Sequence, residues 1–370
     1  MKLVVKKEIL LESLNNTARA ISTKNLIPIL TGIKFDLKDD GLYLYASDTD
    51  VSIRSFISKD KLTSTSELGS IVIGGKYIVE IIRKLPNTDI SIEVIDGYKL
   101  IVSTDNTEFN LNGINPNEFP NLDLDETKEP IVVNNGIFKD IINQTVFATS
   151  QSETRPLLTG INFKLSGNSF EILATDSYRL ARKYVEIDKD IENEVNIVVP
   201  GKNLLELTKM LDDDTASVEM HLFNKVLFKY KNIVFLSRLL SGTYPTTSNI
   251  IPKDFNIELE CKFDDLFNMI DRASLLTSDR EKNTVKLTLT KDELMISSNS
   301  PEIGKVEEKI NVENDKNIEI SFSSKFMLDA IKSFNKEKIV LCMNNDSSPI
   351  VIKSNEDDSL VQLVLPIKTC

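Results

Sequence analysis

Two apolar periods alternate along this chain, and both recur. Leu10, Leu14 and Ala18 stand at i, i+4 and i+8, one face of a helix. The spacing returns 128 residues on at Phe138, Ile142 and Val146, and 128 further on at Leu266, Ile270 and Ser274. A second helical segment repeats as GKYIVEIIRKL (75–85), GKNLLELTKML (201–211) and SKFMLDAIKSF (324–334). Its apolar stripe falls at Ile78, Ile81 and Leu85, then Leu204, Leu207 and Leu211, then Met327, Ala330 and Phe334. That 0, 3, 7 spacing predicts a core-facing helix each time. Between the helices lie short alternating runs rich in Ile, Val, Phe and Tyr, at 71–73, 90–95, 100–103, 195–199, 225–230 and 350–353. They predict antiparallel strands of about 5–6 residues. Asp39-Asp40-Gly41, Asp96-Gly97 and Ser166-Gly167-Asn168 read as the turns between strands.

The repeat extends to identities. LTGIKFDL (30–37) matches LTGINFKL (158–165), and Ala46-Ser47-Asp48 matches Ala174-Thr175-Asp176. Each unit is two helices plus many strands, an α+β class with the helices on antiparallel sheets. Asn117-Glu118-Phe119-Pro120 and Gly242-Thr243-Tyr244-Pro245 punctuate the boundaries, which gives three tandem domains at 1–125, 126–252 and 253–370.

Charge changes this picture at one place. The net charge of −12 disfavours a general affinity for nucleic acid, but local distribution decides binding. Opposite the apolar stripe of the second helix stand Lys76 and Arg83, then Lys202 and Lys209, then Lys325 and Lys332, basic six times in six. Glu80, Glu206 and Asp329 follow the first lysine of each pair by four residues and temper the face by pairing along the helix. Three equivalent basic helices predict an arc lined with positive charge. Such an arc touches phosphates, reads no bases and binds in a salt-sensitive way.

Other chemistry is thin. His221 is the one histidine, in the strand-like run 218–223, without a triad or metal motif around it. Gly74-Gly75-Lys76 lacks the spacing of a phosphate loop. Cys261, Cys342 and Cys370 have no metal-ligand spacing and fit a reduced compartment. No stretch approaches the length of a membrane span, and the start MKLVVKKEIL is too soon charged for a signal peptide. The expectation is a non-catalytic cytoplasmic protein with no cofactor, no metal and no membrane partner.

The chain resembles the bacterial DNA polymerase III β subunits, the replication sliding clamps. The likeness runs over the full length. It is carried by Ala174-Thr175-Asp176-Ser177-Tyr178-Arg179-Leu180-Ala181, the boundaries Phe119-Pro120-Asn121-Leu122 and Tyr244-Pro245, and the terminal Leu365-Pro366-Ile367-Lys368. The resemblance implies three DNA-clamp domains that dimerise head to tail into a six-domain ring, helices inside and sheets outside. It implies double-stranded DNA as a sequence-independent partner, with Lys24 and Arg155 as loop contacts beside the six helix cations. It implies a dimer interface at Phe109, Leu275 and Leu276.

It also implies a groove for short peptides from the replicative polymerase, the clamp loader and repair proteins. By position that groove comprises Leu158, Thr175, Ser177, Tyr178, Arg179, Leu180, Pro245, Ile250, Pro349, Leu363, Leu365, Pro366, Ile367 and Lys368. Part of it breaks the internal repeat. Repeat one has Asp50-Val51-Ser52 where repeat two has Tyr178-Arg179-Leu180, so the shared Asp reads as a turn former and the unshared residues as acquired function. The chain departs from the family's common pattern at Tyr178, Asn249 and Lys368, and a lysine at 368 cannot make a bidentate arginine contact. An enzyme, or a protein scaffold without DNA encirclement, are the rival readings. The missing catalytic motifs weigh against the first and the intact basic stripe against the second.

Overall fold

The computed structural model describes residues 1–22, 27–127, 129–247, 249–278 and 282–368. Contacts gather the chain into two units, each drawing on more than one repeat: Met1–Phe138 with Glu206–Leu239, and Lys139–Leu205 with Leu240–Cys370.

The first unit holds two antiparallel sheets. One has five strands, in the order Leu62–Glu67, Lys2–Lys6, Asp89–Ile95, Lys99–Thr104 and Thr107–Asn112. The other has eight. Gly69–Gly74, Gly32–Lys38, Gly41–Ser47 and Val51–Ser58 come from repeat one, and Ile233–Arg238, Lys225–Tyr230, Ser217–Leu222 and Ile131–Asn134 from repeat two. The repeats are joined where Val51–Ser55 pairs with Ile233–Ser237, so neither leaves an edge there.

Helices α1 (Lys7–Thr17) and α2 (Gly75–Lys84) pack together against this framework. Leu10 and Leu14 are buried as expected, while Ala18 falls in a half-buried 3₁₀ turn after the helix. On α2 the stripe is Ile78, Val79 and Ile82, with Leu85 buried at the cap. Ile81 is only half-buried, because this helix meets its core along the i, i+4 row. A Cβ on Gly75 would stand 2.1 Å from Ile21 Cδ1, which accounts for glycine at the start of α2.

The helices of repeat two follow, α3 (Asn135–Thr145) and α4 (Gly201–Thr208). Phe138, Ile142, Leu204, Leu207 and Leu211 are all buried. In the second unit a six-stranded sheet runs in the order Gly160–Thr175, Arg179–Pro200, Asp357–Val364, Ile350–Ser354, Lys338–Met343 and Ile257–Lys262. Its joint, Arg179–Lys183 against Leu360–Val364, repeats the earlier one, with the first strand 128 residues on and its partner 127. A four-stranded sheet completes the unit, ordered Gly304–Asn311, Glu293–Ser300, Thr284–Leu289 and Ile318–Ser323. Helices α5 (Phe263–Ser274) and α6 (Ser324–Lys332) share one core with these strands through Leu266, Ile270, Met327, Ala330 and Phe334. Each fully buried side chain of this kind contributes about 1.5–3 kcal/mol. Helices this short depend on such packing, since they are marginal alone.

Two strands exceed the expected length. Gly160–Thr175 has 16 residues and Arg179–Pro200 has 22. Ser166-Gly167-Asn168 is not a turn. It lies inside the first of these strands, with register shifts on both sides of Gly167, whose φ is 57°. The glycine supplies a left-handed residue for a bulge, and the strand bends instead of ending.

Candidate functional site

The Asp turn is built identically in both repeats that carry it. Asp48 Oδ1 accepts from the amides of Asp50 (3.0 Å) and Val51 (2.8 Å). Asp176 Oδ1 accepts from those of Tyr178 (2.9 Å) and Arg179 (3.0 Å). The residue after each Asp, Thr49 or Ser177, has a φ near 80°, and its amide donates to the hydroxyl of Ser47 or Thr175 at 3.2 Å. The shared residues therefore fix the turn. The unshared ones decide what it presents.

In repeat two it presents Tyr178. The ring is 64% exposed and stacks on Phe326 of α6, centroids 6.4 Å apart. The Tyr178 carbonyl accepts from the amide of Leu365 at 2.9 Å, which lays the C-terminal segment beside it. Tyr178, Phe326, Leu365, Pro366, Ile367 and Lys368 line a cavity of about 600 Å³, with Lys282, Asn283, Ser323 and Lys325. Apolar walls with a few polar groups suit the anchoring of a peptide.

Arg179 serves this wall from behind. It is only 7% exposed. Its Nε donates to Asp176 Oδ2 at 3.0 Å and a terminal nitrogen to Asp329 Oδ2 at 2.7 Å. Its guanidinium lies 4.4 Å from the centroid of Phe326 and 5.4 Å from that of Phe147. The expected groove contact is thus corrected. The side chain fixes Phe326, and hence the stacked Tyr178, and does not line the cavity.

The remaining groove residues divide by depth. Leu158, Leu180 and Leu363 are buried in one cluster with Leu173 and Tyr244, and Leu365 packs on that cluster while also lining the cavity. Thr175 is buried. Its hydroxyl donates to the Arg179 carbonyl at 2.6 Å, and its amide donates to the Tyr244 hydroxyl at 3.0 Å. Burial pushes the Tyr244 hydroxyl well above the usual phenol range, so it stays neutral. Ser177 accepts from Arg155 at 3.3 Å. Ile250 and Pro245 are exposed and Pro349 half-buried, and none of the three lines the cavity. The sequence reading missed Phe326, Lys282, Asn283 and Ser323. Phe326 stands one residue before the apolar stripe of its helix, a spacing that could have marked a side chain at the margin of the core.

The helix cations lie where the period put them. Lys76, Arg83, Lys202, Lys209, Lys325 and Lys332 are all exposed. The acids do not follow the expected pattern: Glu80 pairs with Arg83 and Asp329 with Arg179, not with Lys76 or Lys325. Glu206 pairs with Lys209 at 2.6 Å and with Arg19 at 3.0 Å. Lys332 lies over the Phe267 ring, and Lys325 also lines the cavity described above. Lys24 falls outside the described residues.

At the expected interface Phe109 is 36% exposed on Thr107–Asn112, the edge strand of its sheet. Leu275, just past α5, is 75% exposed, and Leu276 is half-buried. The α5 helix packs on Gly304–Asn311, the edge strand of the four-stranded sheet, where Arg272 bonds Glu308.

Among the described residues one cluster has metal-like spacing: Glu126, Glu219 and His221 bring ligand atoms within 4.8 Å of one another. Its chemistry is that of an ion pair network. His221 Nδ1 accepts from the Thr127 amide at 2.9 Å. Lys229 holds the Glu126 carboxylate at 2.7 Å and lies 3.8 Å from that of Glu219.

Three family models match in tandem: the DNA polymerase III beta subunit N-terminal domain at 1–123, its central domain at 132–246 and its C-terminal domain at 248–368. The Beta sliding clamp of Bacillus subtilis is 42% identical over 378 residues and that of Staphylococcus epidermidis 37% over 376, each with full coverage of both chains. Among solved structures, the DNA polymerase sliding clamp of Bacillus subtilis superposes with a TM-score of 0.96 at 41% identity, covering 100% of both chains. The DNA polymerase III beta chain of Streptococcus pneumoniae gives 0.94 at 32% identity, again over both whole chains.

Proposed function

The chain belongs to the DNA polymerase III beta subunit family, and from that premise we infer how this architecture performs the work of a sliding clamp. Its function is that of a non-catalytic processivity factor, which tethers a DNA polymerase to its template. The finer reading is a ring of two copies, each with domains at 1–125, 126–252 and 253–370, closed around double-stranded DNA in the cytoplasm.

One observation carries the ring. Each internal joint pairs a strand that follows the Asp turn, Val51–Ser58 or the start of Arg179–Pro200, with the late strand of the next repeat, Ile233–Arg238 or Asp357–Val364. The same rule leaves two strands over. Gly304–Asn311 is the repeat-three counterpart of the first kind and Thr107–Asn112 the repeat-one counterpart of the second, and each is the edge of its sheet. Edges of this length invite pairing. Joining one copy's Gly304–Asn311 to the second copy's Thr107–Asn112 repeats the internal joint twice and closes the assembly. Phe109, Leu275 and Leu276 then meet at the seam.

The exposed cations of α2, α4 and α6 contact phosphates on this reading, joined by Arg155 and Lys24. Contacts of that kind carry no sequence information and leave the ring free to slide. The cavity at Tyr178 and Leu365 takes the apolar anchors of peptides from the replicative polymerase, the clamp loader and repair proteins. On this reading the buried Leu158, Leu180 and Leu363 support the cavity wall through Leu365, which packs on their cluster, and Pro245, Ile250 and Pro349 are peptide contacts outside the cavity.

Topology tests the reading. Protein loaded by a clamp loader onto nicked circular DNA is expected to survive a high-salt wash and to run off when the circle is cut. Equal retention on open-ended linear DNA would sink encirclement and leave a scaffold that holds DNA by its surface.

A further inference from the structure

The cavity at Tyr178 departs from the charge of the rest of the chain. The sequence has 56 acidic residues against 44 Lys and Arg. Among the described residues the cavity wall nevertheless carries three lysines, Lys282, Lys325 and Lys368, and no carboxylate. Among the described residues none of the three has an ion-pair partner within the chain.

The backbone holds Lys282 in place. Lys282 and Asn283 have φ of 57° and 53°, two successive left-handed residues, a conformation that asparagine tolerates and lysine rarely adopts. Neighbours fix the pair. The Asn283 carbonyl accepts from the Ser324 amide at 2.8 Å and from its hydroxyl at 3.1 Å, while the Asn283 amide donates to the Ser278 carbonyl at 2.8 Å. Such strain persists only where the surroundings over-determine it, often at ligand clamps.

The cavity also has a continuation. Lys282, Ile367 and Lys368 line a second cavity of about 690 Å³, which spreads over Thr284, Lys286 and Ser297 on the solvent face of the four-stranded sheet. There Lys286 is matched by Glu319 at 2.7 Å and Lys305 by Glu307. The unmatched charge is concentrated at the doorway between the two cavities.

Resting on the reading of this cavity as a peptide groove, we propose that Lys282, Lys325 and Lys368 form a cationic collar selecting partner segments with acidic residues beside their apolar anchor. The acidic flank leaves the anchor site through the doorway and runs over the sheet face toward Thr284 and Lys286. The apolar walls supply anchoring, which salt hardly weakens. The collar supplies discrimination, which salt screens within about 8 Å at physiological ionic strength. A partner segment of matching apolar residues but neutral flanks binds less tightly and dissociates faster.

A random dodecapeptide library displayed on phage, selected on the full-length chain, tests this without assuming a motif. Asp and Glu are expected to be enriched beside apolar pairs on the unsubstituted chain and to lose that enrichment on Lys282→Gln/Lys368→Gln. Lys325 stays unchanged because it also stands on the basic helix face. A selected peptide should bind about tenfold more tightly than its Asp→Asn analogue at low salt, the scale of two or three exposed ion pairs, and the two should converge at high salt. Absence of acidic enrichment, or the same preference in the double variant, overturns the collar. If the selected peptides bind Leu180→Ala/Pro366→Ala undiminished, they do not use the groove, and the underlying reading falls with the collar.

Discussion

At Arg179 a guanidinium lies between two phenyl rings and bonds two carboxylates, so its loss would strand charge in a nearly dry site. Arg179→Met is expected to cost about 2–4 kcal/mol, below the usual range for breaking a buried pair because Asp329 is 35% exposed. A urea titration checks this through a lower midpoint at unchanged slope. Arg179→Lys should recover little, since an ammonium cannot bond two carboxylates and stack between rings at once. An unchanged midpoint in both variants would refute the strut. The cysteines give a second residue-level expectation. Burial pushes the Cys261 thiol up to about 12 and the Cys342 thiol up to about 11. At pH 8 their thiolate fractions are then on the order of one in ten thousand and one in a thousand. In a Cys370→Ser background a disulfide reagent should find no fast-reacting thiol until the protein is unfolded, whereupon two should appear. A prompt native reaction would contradict the burial.

Among the elements, α4 separates charge from fold most cleanly. Lys202 and Lys209 are exposed while Leu204 and Leu207 bury the opposite face. Lys202→Glu/Lys209→Glu should therefore leave thermal unfolding nearly unchanged and weaken DNA retention. The slope of log affinity against log salt should fall by about 0.9 for each phosphate that the helix no longer neutralises. A slope equal to that of the unsubstituted chain would remove α4 from the DNA surface. The helices were legible because a 3.6-residue period marks both of their faces, and the Asp turn because its side chain acts on amides two and three residues away. Arg179 was not, because periodicity treats an arginine as surface until a partner 150 residues distant, Asp329, is known. Gly167 misled for a related reason. A left-handed glycine serves a turn or a bulge equally well, and only strand pairing tells them apart. Lys282 gave no local signal, since its conformation depends on Ser324 and Ser278 as partners of Asn283.

For the molecule as a whole the decisive quantity is its mass in solution. Two internal joints hide their edge strands, and among the edge strands left in each copy, Thr107–Asn112 and Gly304–Asn311 are the counterparts of those joined inside the chain. Open head-to-tail pairing would grow a filament, whereas pairing that closes after two copies uses every such edge and stops. Sedimentation or light scattering should thus give twice the chain mass, with no larger species as concentration rises. Leu275 is the place to break the seam, because its side chain is 75% exposed and stabilises little within one copy. A charge there meets an apolar partner surface at the seam and costs the dimer its dry apolar packing, while the single chain keeps its fold. Leu275→Lys is expected to halve the mass, leave the melting temperature of the single chain within a few degrees, and abolish salt-stable retention on nicked circles. Phe109→Lys should do the same from the other strand. A monomeric mass for the unsubstituted chain would defeat the ring, and dimers that persist in both variants would place the seam elsewhere.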